Sequence, residues 1–356
     1  MSDTQGAVPT SDAISDPTPV PTSAPAPSHP AQVNPRAISP VIPSRIRVFR
    51  KRLIDYVVPA LLLAASVVTT TAIGARFMEN FREGLPSVAN ENDLWPWPWL
   101  LAHPARFQLG WPFSLTLLCI LLIHEFGHYF ACRAHGIRAT LPWVLPAPTL
   151  SGTAGAVIRL RSPIPDRQAL MDVGAYGPLA GFLASLAAVT IGFLLSRATQ
   201  PAAHVQGLVV FGKPLTLGVV HAFLTRFQLA TPTFDHAVRH PVLIAGWIGL
   251  FITSLNLIPA GQLDGGHILY AISSRWHRHV SRLLPFVLLA CGFFFWVGWI
   301  FWGLFLLIPA MRHPHVPTQQ PLSRSRRILS GLALAVFALT FSVAPLAGSS
   351  VLDYLR

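Results

Sequence analysis

The chain has 356 residues, of which 52% are hydrophobic and 11% charged, with a mean hydropathy of +0.51 and a formal net charge of +12. This composition excludes an ordinary soluble enzyme and indicates a membrane protein with several spans. Positive charge in such a protein reflects arginine-rich cytoplasmic loops, so we expect no nucleic-acid partner. Three cysteines in or beside apolar runs predict neither a disulfide framework nor a thiolate zinc site.

The N-terminal stretch, residues 1–44, is rich in Pro, Ser, Thr and Ala and predicts a disordered cytoplasmic tail. A cleaved signal is not expected, because no hydrophobic core follows a short basic start. A chloroplast transit peptide is an alternative that the early aspartates disfavour. Five basic residues at 45–52 then precede the first apolar segment, 56–74, and place the N-terminus in the cytoplasm.

The rest of the chain predicts an all-α polytopic protein with about six transmembrane helices. After the first span, Trp95, Trp97 and Trp99 alternate with prolines. This alternation is incompatible with a regular helix interior and predicts an outer interfacial loop with tryptophan anchors; an aromatic binding surface is the alternative. The second and third spans are predicted at 110–132 and 170–195.

Between these two spans, residues 137–161 are rich in Pro and Gly and contain a β-type run at 154–160. We interpret this stretch either as a short re-entrant β segment near the active site or as a plain cytoplasmic loop. In the third span, Gly177 and Gly181 form a G-x-x-x-G pattern, with Gly174 one turn earlier, that predicts close helix packing.

The loop at 197–240 lacks apolar continuity, and a fourth span is predicted at 241–257. The run 283–309 is either one long span or a helical hairpin that turns near Gly298, and the arginines that follow favour the hairpin. A last span is predicted at 328–346. The predicted divisions are a tail (1–44), a first transmembrane helix with an outer aromatic loop (45–109), a core (110–275) whose function the motifs below indicate, and C-terminal transmembrane helices (276–356).

The second predicted span carries a His-Glu-x-x-His motif. His124 and His128 lie four residues apart, so both imidazoles project from one face of a helix, as two ligands of one zinc ion require. Glu125 can reach a water molecule at the metal without being a ligand. The motif also occurs by chance on soluble helices, but a charged group in hydrocarbon costs roughly 2.5 kcal/mol or more. We therefore predict a zinc site.

Asp264 is the predicted third ligand. It lies in a polar segment broken by Pro and Gly, N-L-I-P-A-G-Q-L-D-G-G-H, residues 256–267. A catalytic zinc site takes three protein ligands and keeps one position open, and Glu125 and Asp264 are the two carboxylates whose predicted burial has no other explanation. The alternatives are an N-cap role for Asp264 and zinc ligation by His267, which a short helix would turn away from Asp264.

These residues predict peptide hydrolysis. A bound zinc ion would acidify a water molecule, and Glu125 would take its proton during attack on a peptide carbonyl and pass it to the leaving amine. Asn256 is a candidate for holding the developing oxyanion or the substrate backbone.

The paired motifs, H-E-F-G-H in a membrane span and the later N-L-I-P-A-G-Q-L-D-G-G, resemble those of the site-2 protease family of intramembrane zinc metalloproteases. The resemblance covers about residues 115–269 and is greatest to the branch of plant plastid members and their bacterial relatives. No PDZ-like insertion separates the motifs, and the family's small-residue motif is matched loosely by Gly177 to Gly181.

The resemblance implies zinc ligation by His124, His128 and Asp264, with Glu125 as the catalytic base. It also implies cleavage of membrane-anchored protein substrates within their transmembrane helices, with 151–160 binding the unwound substrate as an added strand. We expect an integral protein of a bacterial cytoplasmic membrane with its N-terminus in the cytoplasm.

Two other functions are compatible with the sequence. A catalytically silent membrane scaffold would be expected to carry a damaged motif, whereas the motif here is intact. A divalent-metal transporter would carry acidic positions along a path through several spans, whereas the acids here converge on one point.

Overall fold

The computed structural model describes residues 53–198, 209–317 and 320–355; the predicted N-terminal tail lies outside these residues. The described part is mostly helical, and its strands are short. The α-helices are α1 (Val58–Glu83), α2 (Trp97–Ala102), α3 (Trp111–Ala134), α4 (Arg167–Leu195), α5 (Leu215–Arg226), α6 (Pro241–Asn256), α7 (Asp264–Ile272), α8 (Ser274–Phe294), α9 (Gly298–Leu307), α10 (Arg324–Thr340) and α11 (Val351–Leu355).

The strands form three antiparallel pairs. They are β1 (Trp143–Pro146) with β2 (Thr153–Val157), β3 (Arg197–Ala198) with β5 (Ala237–Val238), and β4 (Val210–Phe211) with β6 (Leu346–Ala347). Short 3₁₀ turns at Glu91–Asp93, Pro104–Gly110, Phe234–His236 and Pro309–Met311, and a π turn at Leu53–Val57, join the larger elements.

Three helical stretches of the described chain are long and apolar enough to cross a membrane: Asp55–Glu83, Pro104–Ala134 and Arg167–Leu195. They contain the predicted first, second and third spans. Helix α6, the predicted fourth span, has 16 residues and extends about 24 Å, less than the roughly 30 Å of bilayer hydrocarbon. Three of the six predicted spans therefore have full length.

Helix α4 lies at the centre of the bundle, against α3, α6 and α7. Small residues bring its backbone close to α6: a Cβ on Gly192 would lie 2.4 Å from the Cα of Leu243, and one on Gly246 would lie 2.8 Å from the backbone nitrogen of Val189. Large apolar side chains, including Phe113 of α3, fill the remaining core. The close backbones fix α4 relative to the elements around it.

The predicted β-type run forms one arm of a hairpin, with Trp143 opposite Val157 and Leu145 opposite Gly155. The hairpin is tied to α1, because the Ser66 hydroxyl donates a hydrogen bond of 3.1 Å to the Val144 carbonyl. The described structure therefore contains the predicted short β segment.

The prediction that the Trp-Pro segment contains no helix is wrong. Helix α2 begins at Trp97, and its prolines lie before or within the first turn, where backbone amides have no helical acceptor. Trp99 then packs against α1, with the Arg76 guanidinium 4.5 Å from its ring centroid. Alternating prolines therefore mark the start of a helix here.

The run 283–309 is a helical hairpin. Helix α8 ends at Phe294 and α9 begins at Gly298. The helices touch through glycines, since a Cβ on Gly292 would lie 2.4 Å from the Ile300 side chain and one on Gly303 would lie 2.8 Å from the Pro285 carbonyl oxygen. The predicted last span is shorter than expected, because α10 ends at Thr340 instead of residue 346.

An ion pair ties α10 to α4. Arg326 donates from Nε to Oδ1 of Asp172 at 2.9 Å and from Nη2 to Oδ2 at 2.5 Å. His135 Nε2 lies 2.7 Å from the same Oδ2. Asp172 lies near the end of a predicted span but is only 7% exposed. Its charge is compensated by Arg326.

We expect Arg326→Gln to lower the free energy of unfolding by about 1–3 kcal/mol, because it leaves a buried carboxylate without its strongest partner. Thermal and denaturant unfolding in detergent would measure this. Arg324→Gln, at an exposed position of the same helix, is the matched control and should change stability by less than about 0.5 kcal/mol. Equal destabilisation by both variants would contradict a specific role for the ion pair.

Candidate metal centre

Helix α3 carries the His-Glu-x-x-His motif without interruption. His124, Glu125 and His128 are 3%, 5% and 6% exposed, and the two imidazole ring centroids are 5.0 Å apart. The helical spacing of four residues directs both rings toward α4 and α7, as the sequence predicts.

Asp264 reaches α3 because the chain folds back tightly between α6 and α7. A Cβ on Gly265 would lie 2.0 Å from the Leu257 carbonyl oxygen, and one on Gly266 would lie 2.6 Å from that of Ala260. Only residues without a side chain fit here, which explains the two glycines after the aspartate. The turn makes Asp264 the first residue of α7 and directs its carboxylate at the imidazoles.

The three predicted ligands meet at one point. Asp264 Oδ2 lies 3.4 Å from His124 Nε2 and 3.3 Å from His128 Nε2, and all three ligand atoms lie within 4.8 Å of one another. Tetrahedral zinc with bonds of about 2.05 Å to nitrogen and oxygen sets its ligand atoms roughly 3.3–3.4 Å apart. The donor set and the two measured distances therefore fit a zinc ion.

A contact behind His128 fixes the orientation of its ring. Nδ1 donates a hydrogen bond of 2.6 Å to the Val173 carbonyl of α4. A proton on Nδ1 leaves the lone pair of Nε2, the nitrogen that faces Asp264, available to a metal.

The glycines of α4 form the wall against which both imidazoles lie. A Cβ on Gly177 would lie 2.1 Å from His128 Nε2, and one on Gly181 would lie 2.7 Å from His124 Nδ1. Gly174 meets α7 in the same way, 3.0 Å from the backbone oxygen of Asp264. The G-x-x-x-G pattern predicts helix packing, and in the structure these glycines also make room for the side chains of His124 and His128.

Glu125 and Asn256 lie at the edge of this cluster. The Glu125 carboxylate faces the backbone N–H of Ile158, the residue after β2. The Asn256 side-chain nitrogen, at the end of α6, lies 3.1 Å from His124 Nε2. No sequence pattern predicts the contact with Ile158, because this contact depends on how the β hairpin docks.

A cavity of about 490 Å³ opens onto the cluster. Its lining includes all five predicted site residues, the chain segment 156–160 on one side and Gln262 and Leu263 on the other. The hairpin therefore borders the space in front of Glu125.

The described contacts of Asp264 do not include an N-cap hydrogen bond. The residue before the helix is Leu263, which has no capping side chain, and the Asp264 carboxylate faces His124 and His128. His267, the alternative ligand, turns toward His313, with its Nδ1 2.9 Å from Nε2 of that residue.

Comparison with known proteins gives a family match. The profile of Peptidase family M50 matches residues 112–298, slightly more than half of the chain, and includes both motifs.

Three plant proteins are similar. A protein of Oryza sativa subsp. japonica named probable zinc metalloprotease EGY1, chloroplastic, is 31% identical over 66% of this chain and 40% of its own length. The protein of the same name from Arabidopsis thaliana is 31% identical over 64% of this chain and 42% of its own length. A protein of Oryza sativa subsp. indica named probable zinc metalloprotease EGY2, chloroplastic, is 30% identical over 64% of this chain and 41% of its own length. The chain spans about two fifths of the length of these relatives. With the matched region covering both motifs and the residues that meet at the metal centre, the chain belongs to Peptidase family M50, the site-2 protease family.

Proposed function

We propose that this protein is an intramembrane zinc metalloprotease that hydrolyses peptide bonds within or near the transmembrane segments of membrane-anchored proteins. The observation that carries the proposal is the approach of His124, His128 and Asp264 at the separation of tetrahedral zinc ligands, beside the buried Glu125. The names of the similar plant proteins, zinc metalloproteases, support the same chemistry.

In this proposal each site residue has one role. His124, His128 and Asp264 hold the zinc ion, which supplies a polarised water molecule as the nucleophile. Glu125 accepts a proton from the attacking water and returns it to the leaving nitrogen. Asn256 holds the developing oxyanion or the adjacent substrate backbone. Its side-chain nitrogen, 3.1 Å from His124 Nε2, is a hydrogen-bond donor beside the ligand atoms.

We further propose that the substrate binds as a strand along β2. Within the described chain β2 pairs only with β1, so the N–H and C=O groups of its other edge are available to an extended peptide. The segment 156–160 lines the cavity that contains Glu125. A substrate helix must unwind to use this edge, which exposes its peptide carbonyls to attack.

For the membrane we propose about six spans, with the β hairpin re-entrant beside the metal centre. The basic residues at 45–52 favour a cytoplasmic N-terminus, and therefore a metal centre nearer the cytoplasmic side. We assign the protein to a bacterial cytoplasmic membrane on its sequence, while its plant relatives are named chloroplastic.

The two rival functions have less support. A divalent-metal transporter needs ligand groups along a path, and the described residues contain one cluster of His, Cys, Asp or Glu able to hold a metal. A silent scaffold does not require Glu125 to remain beside the ligands.

Asp264→Asn provides the test. We expect the wild-type chain, purified in detergent, to hold about one zinc ion and to cleave a membrane-anchored model substrate. The variant should bind zinc more than about 100-fold more weakly. Loss of a residue that only hydrogen-bonds a metal ligand already lowers metal affinity by about 10–100-fold, and loss of the ligand itself should lower it at least as much. Zinc content by mass spectrometry and substrate cleavage in liposomes would measure both effects. Treatment of the wild-type protein with a chelator should likewise remove zinc and activity.

Asp235→Asn is the matched control, because Asp235 is an exposed aspartate paired with Lys213 at 2.5 Å, outside the cluster. It should retain both zinc and activity. Equal zinc binding by Asp264→Asn and wild type would remove Asp264 from the ligand set. Zinc-loaded wild type that cleaves none of a panel of membrane substrates would favour the scaffold.

A further inference from the structure

A second and larger cavity lies behind the loop that carries Asp264. It has a volume of about 840 Å³ and is formed by α7, α8, the end of α9 and the segment 309–315. Gly261 of the loop lines this cavity, whereas Gln262 and Leu263 line the metal cavity. The two cavities therefore share one wall.

Three arginines line the second cavity: Arg278, Arg282 and Arg312. Arg278 and Arg282 lie four residues apart on α8 and so share one face of the helix, next to the hydroxyls of Ser274 and Ser281. Guanidinium groups and hydroxyls in such an arrangement match the oxygens of a phosphate group.

These arginines have no carboxylate partner within the described chain, where four arginines are paired with an acid and most are not. Those ion pairs are Arg76 with Asp93, Arg106 with Glu79, Arg161 with Asp55 and Arg326 with Asp172. The sequence contains no acidic residue between Asp264 and Asp353, so this region has no local counter-charge. Burial lowers the pKa of His313, also in the lining, to about 4, so at neutral pH this histidine adds no positive charge to that of the arginines.

Apolar side chains also line the cavity. They are Phe286, Leu306 and Leu307, and α8 and α9 expose further large apolar side chains on their outer surfaces, including Leu283 and Leu304. A cavity with both arginines and apolar side chains, next to an apolar surface, matches the headgroup and acyl chains of a phospholipid better than a freely soluble phosphate.

We infer that this cavity binds the phosphate group of an anionic phospholipid, held by Arg278, Arg282 and Arg312, with the acyl chains along α8 and α9. Basic pockets between membrane helices on the cytoplasmic side are suited to such headgroups. The arginine-rich character of this face agrees with a cytoplasmic orientation.

Hydrogen bonds connect the cavity wall to the metal-centre loop. The Gly261 backbone N–H donates to Ser281 Oγ at 3.1 Å, and His277 Nε2 donates to the Gly261 carbonyl at 3.0 Å. From the other side, Gln262 Nε2 donates to the Arg312 carbonyl at 2.9 Å. Lipid binding therefore stabilises the loop that ends at Asp264. Any effect on cleavage rests on the proposed function, whereas lipid binding does not.

The test uses the full-length protein in neutral detergent and counts bound lipid by native mass spectrometry. The probes are phosphatidylglycerol, phosphatidylcholine and inorganic phosphate. The triple variant Arg278→Gln, Arg282→Gln, Arg312→Gln should bind phosphatidylglycerol about 100-fold more weakly than wild type, at about fivefold for each arginine. The triple variant Arg275→Gln, Arg324→Gln, Arg327→Gln removes the same charge from exposed positions outside the cavity and should bind like wild type.

Phosphatidylcholine should bind weakly and equally to all three proteins. Hydrogen exchange of 258–264 should slow when phosphatidylglycerol is added to wild type and to the control triple variant. The single variant Arg282→Gln, with a fivefold loss, repeats the test should the cavity triple variant not fold. Equal phosphatidylglycerol binding by wild type and the cavity variants would overturn the proposal. Competition by inorganic phosphate at similar affinity would overturn the assignment to a lipid.

Discussion

Glu125→Gln is expected to lower the rate of substrate cleavage by about 10²–10⁴-fold while leaving zinc content unchanged. The substituted amide has nearly the same shape as the carboxylate, and Glu125 is outside the set of three ligand atoms that meet at the metal centre. It can no longer accept the proton of the attacking water. Single-turnover cleavage of a membrane-anchored substrate in liposomes, together with zinc analysis of the same preparation, would measure both quantities.

The matched control for this variant is Glu91→Gln, an exposed glutamate of the 3₁₀ turn Glu91–Asp93. It should retain the wild-type rate. Loss of zinc together with activity in Glu125→Gln would mean that Glu125 maintains the site structurally and is not the base. Full activity with full zinc content would remove the proposed role of Glu125.

Gly177→Ala is expected to abolish cleavage and to weaken zinc binding by more than about tenfold. The added Cβ would lie 2.1 Å from His128 Nε2, the atom that faces Asp264, and within 2.5 Å of two ring carbons. Either the ring rotates or α4 moves away from α3, and both changes displace a ligand atom from its tetrahedral separation. Zinc titration against a competing chelator and the liposome cleavage assay would test this expectation.

Two other helical glycines provide controls for Gly177→Ala. Gly218 in α5 and Gly331 in α10 have no atom within 4 Å of the position that a Cβ would take. Alanine at either position should leave zinc binding and cleavage unchanged and should stabilise its helix by about 0.5–1 kcal/mol, since glycine is a poor helix former. A similar loss of zinc in all three variants would show that the contact with His128 is not the cause.

The two motifs were sufficient to predict that His124, His128 and Asp264 lie together, because each motif leaves little conformational choice. Helical periodicity fixes the relative position of His124 and His128, and the two glycines after Asp264 accept the tight return of the chain. The position of Ile158 against Glu125 could not be predicted, because it depends on the docking of a hairpin that has no periodic signal of its own.

The expected burial of acids was only partly correct. Glu79, Asp93 and Asp172 are also buried, and each has an arginine partner that its distance in the sequence concealed. Unlike these three buried acids, Glu125 and Asp264 make no ion pair with a Lys or Arg of the described residues. Compensation of charge, more than burial alone, therefore separates the proposed site acids from structural ones.

Helix lengths were the least predictable feature. Hydropathy located α3 and α4 to within a few residues, because long apolar runs have clear ends. It failed for α10, where apolar residues continue beyond the helix end at Thr340. The Trp-Pro alternation misplaced α2, because proline is compatible with the first turn of a helix. Local end effects decided these boundaries.

The joining of α3 and α7 at one point links metal occupancy to the integrity of the whole bundle. His124 and Asp264 lie on segments separated by the hairpin and by three further helices, so an unfolded chain has no preassembled set of donors. A ligand that binds only the native state adds RT ln(1 + [L]/Kd) to its stability, or about 2.7 kcal/mol at 100 times Kd. Chelation should therefore lower the melting temperature of the entire protein, and recovery of that temperature would report correct refolding without any substrate.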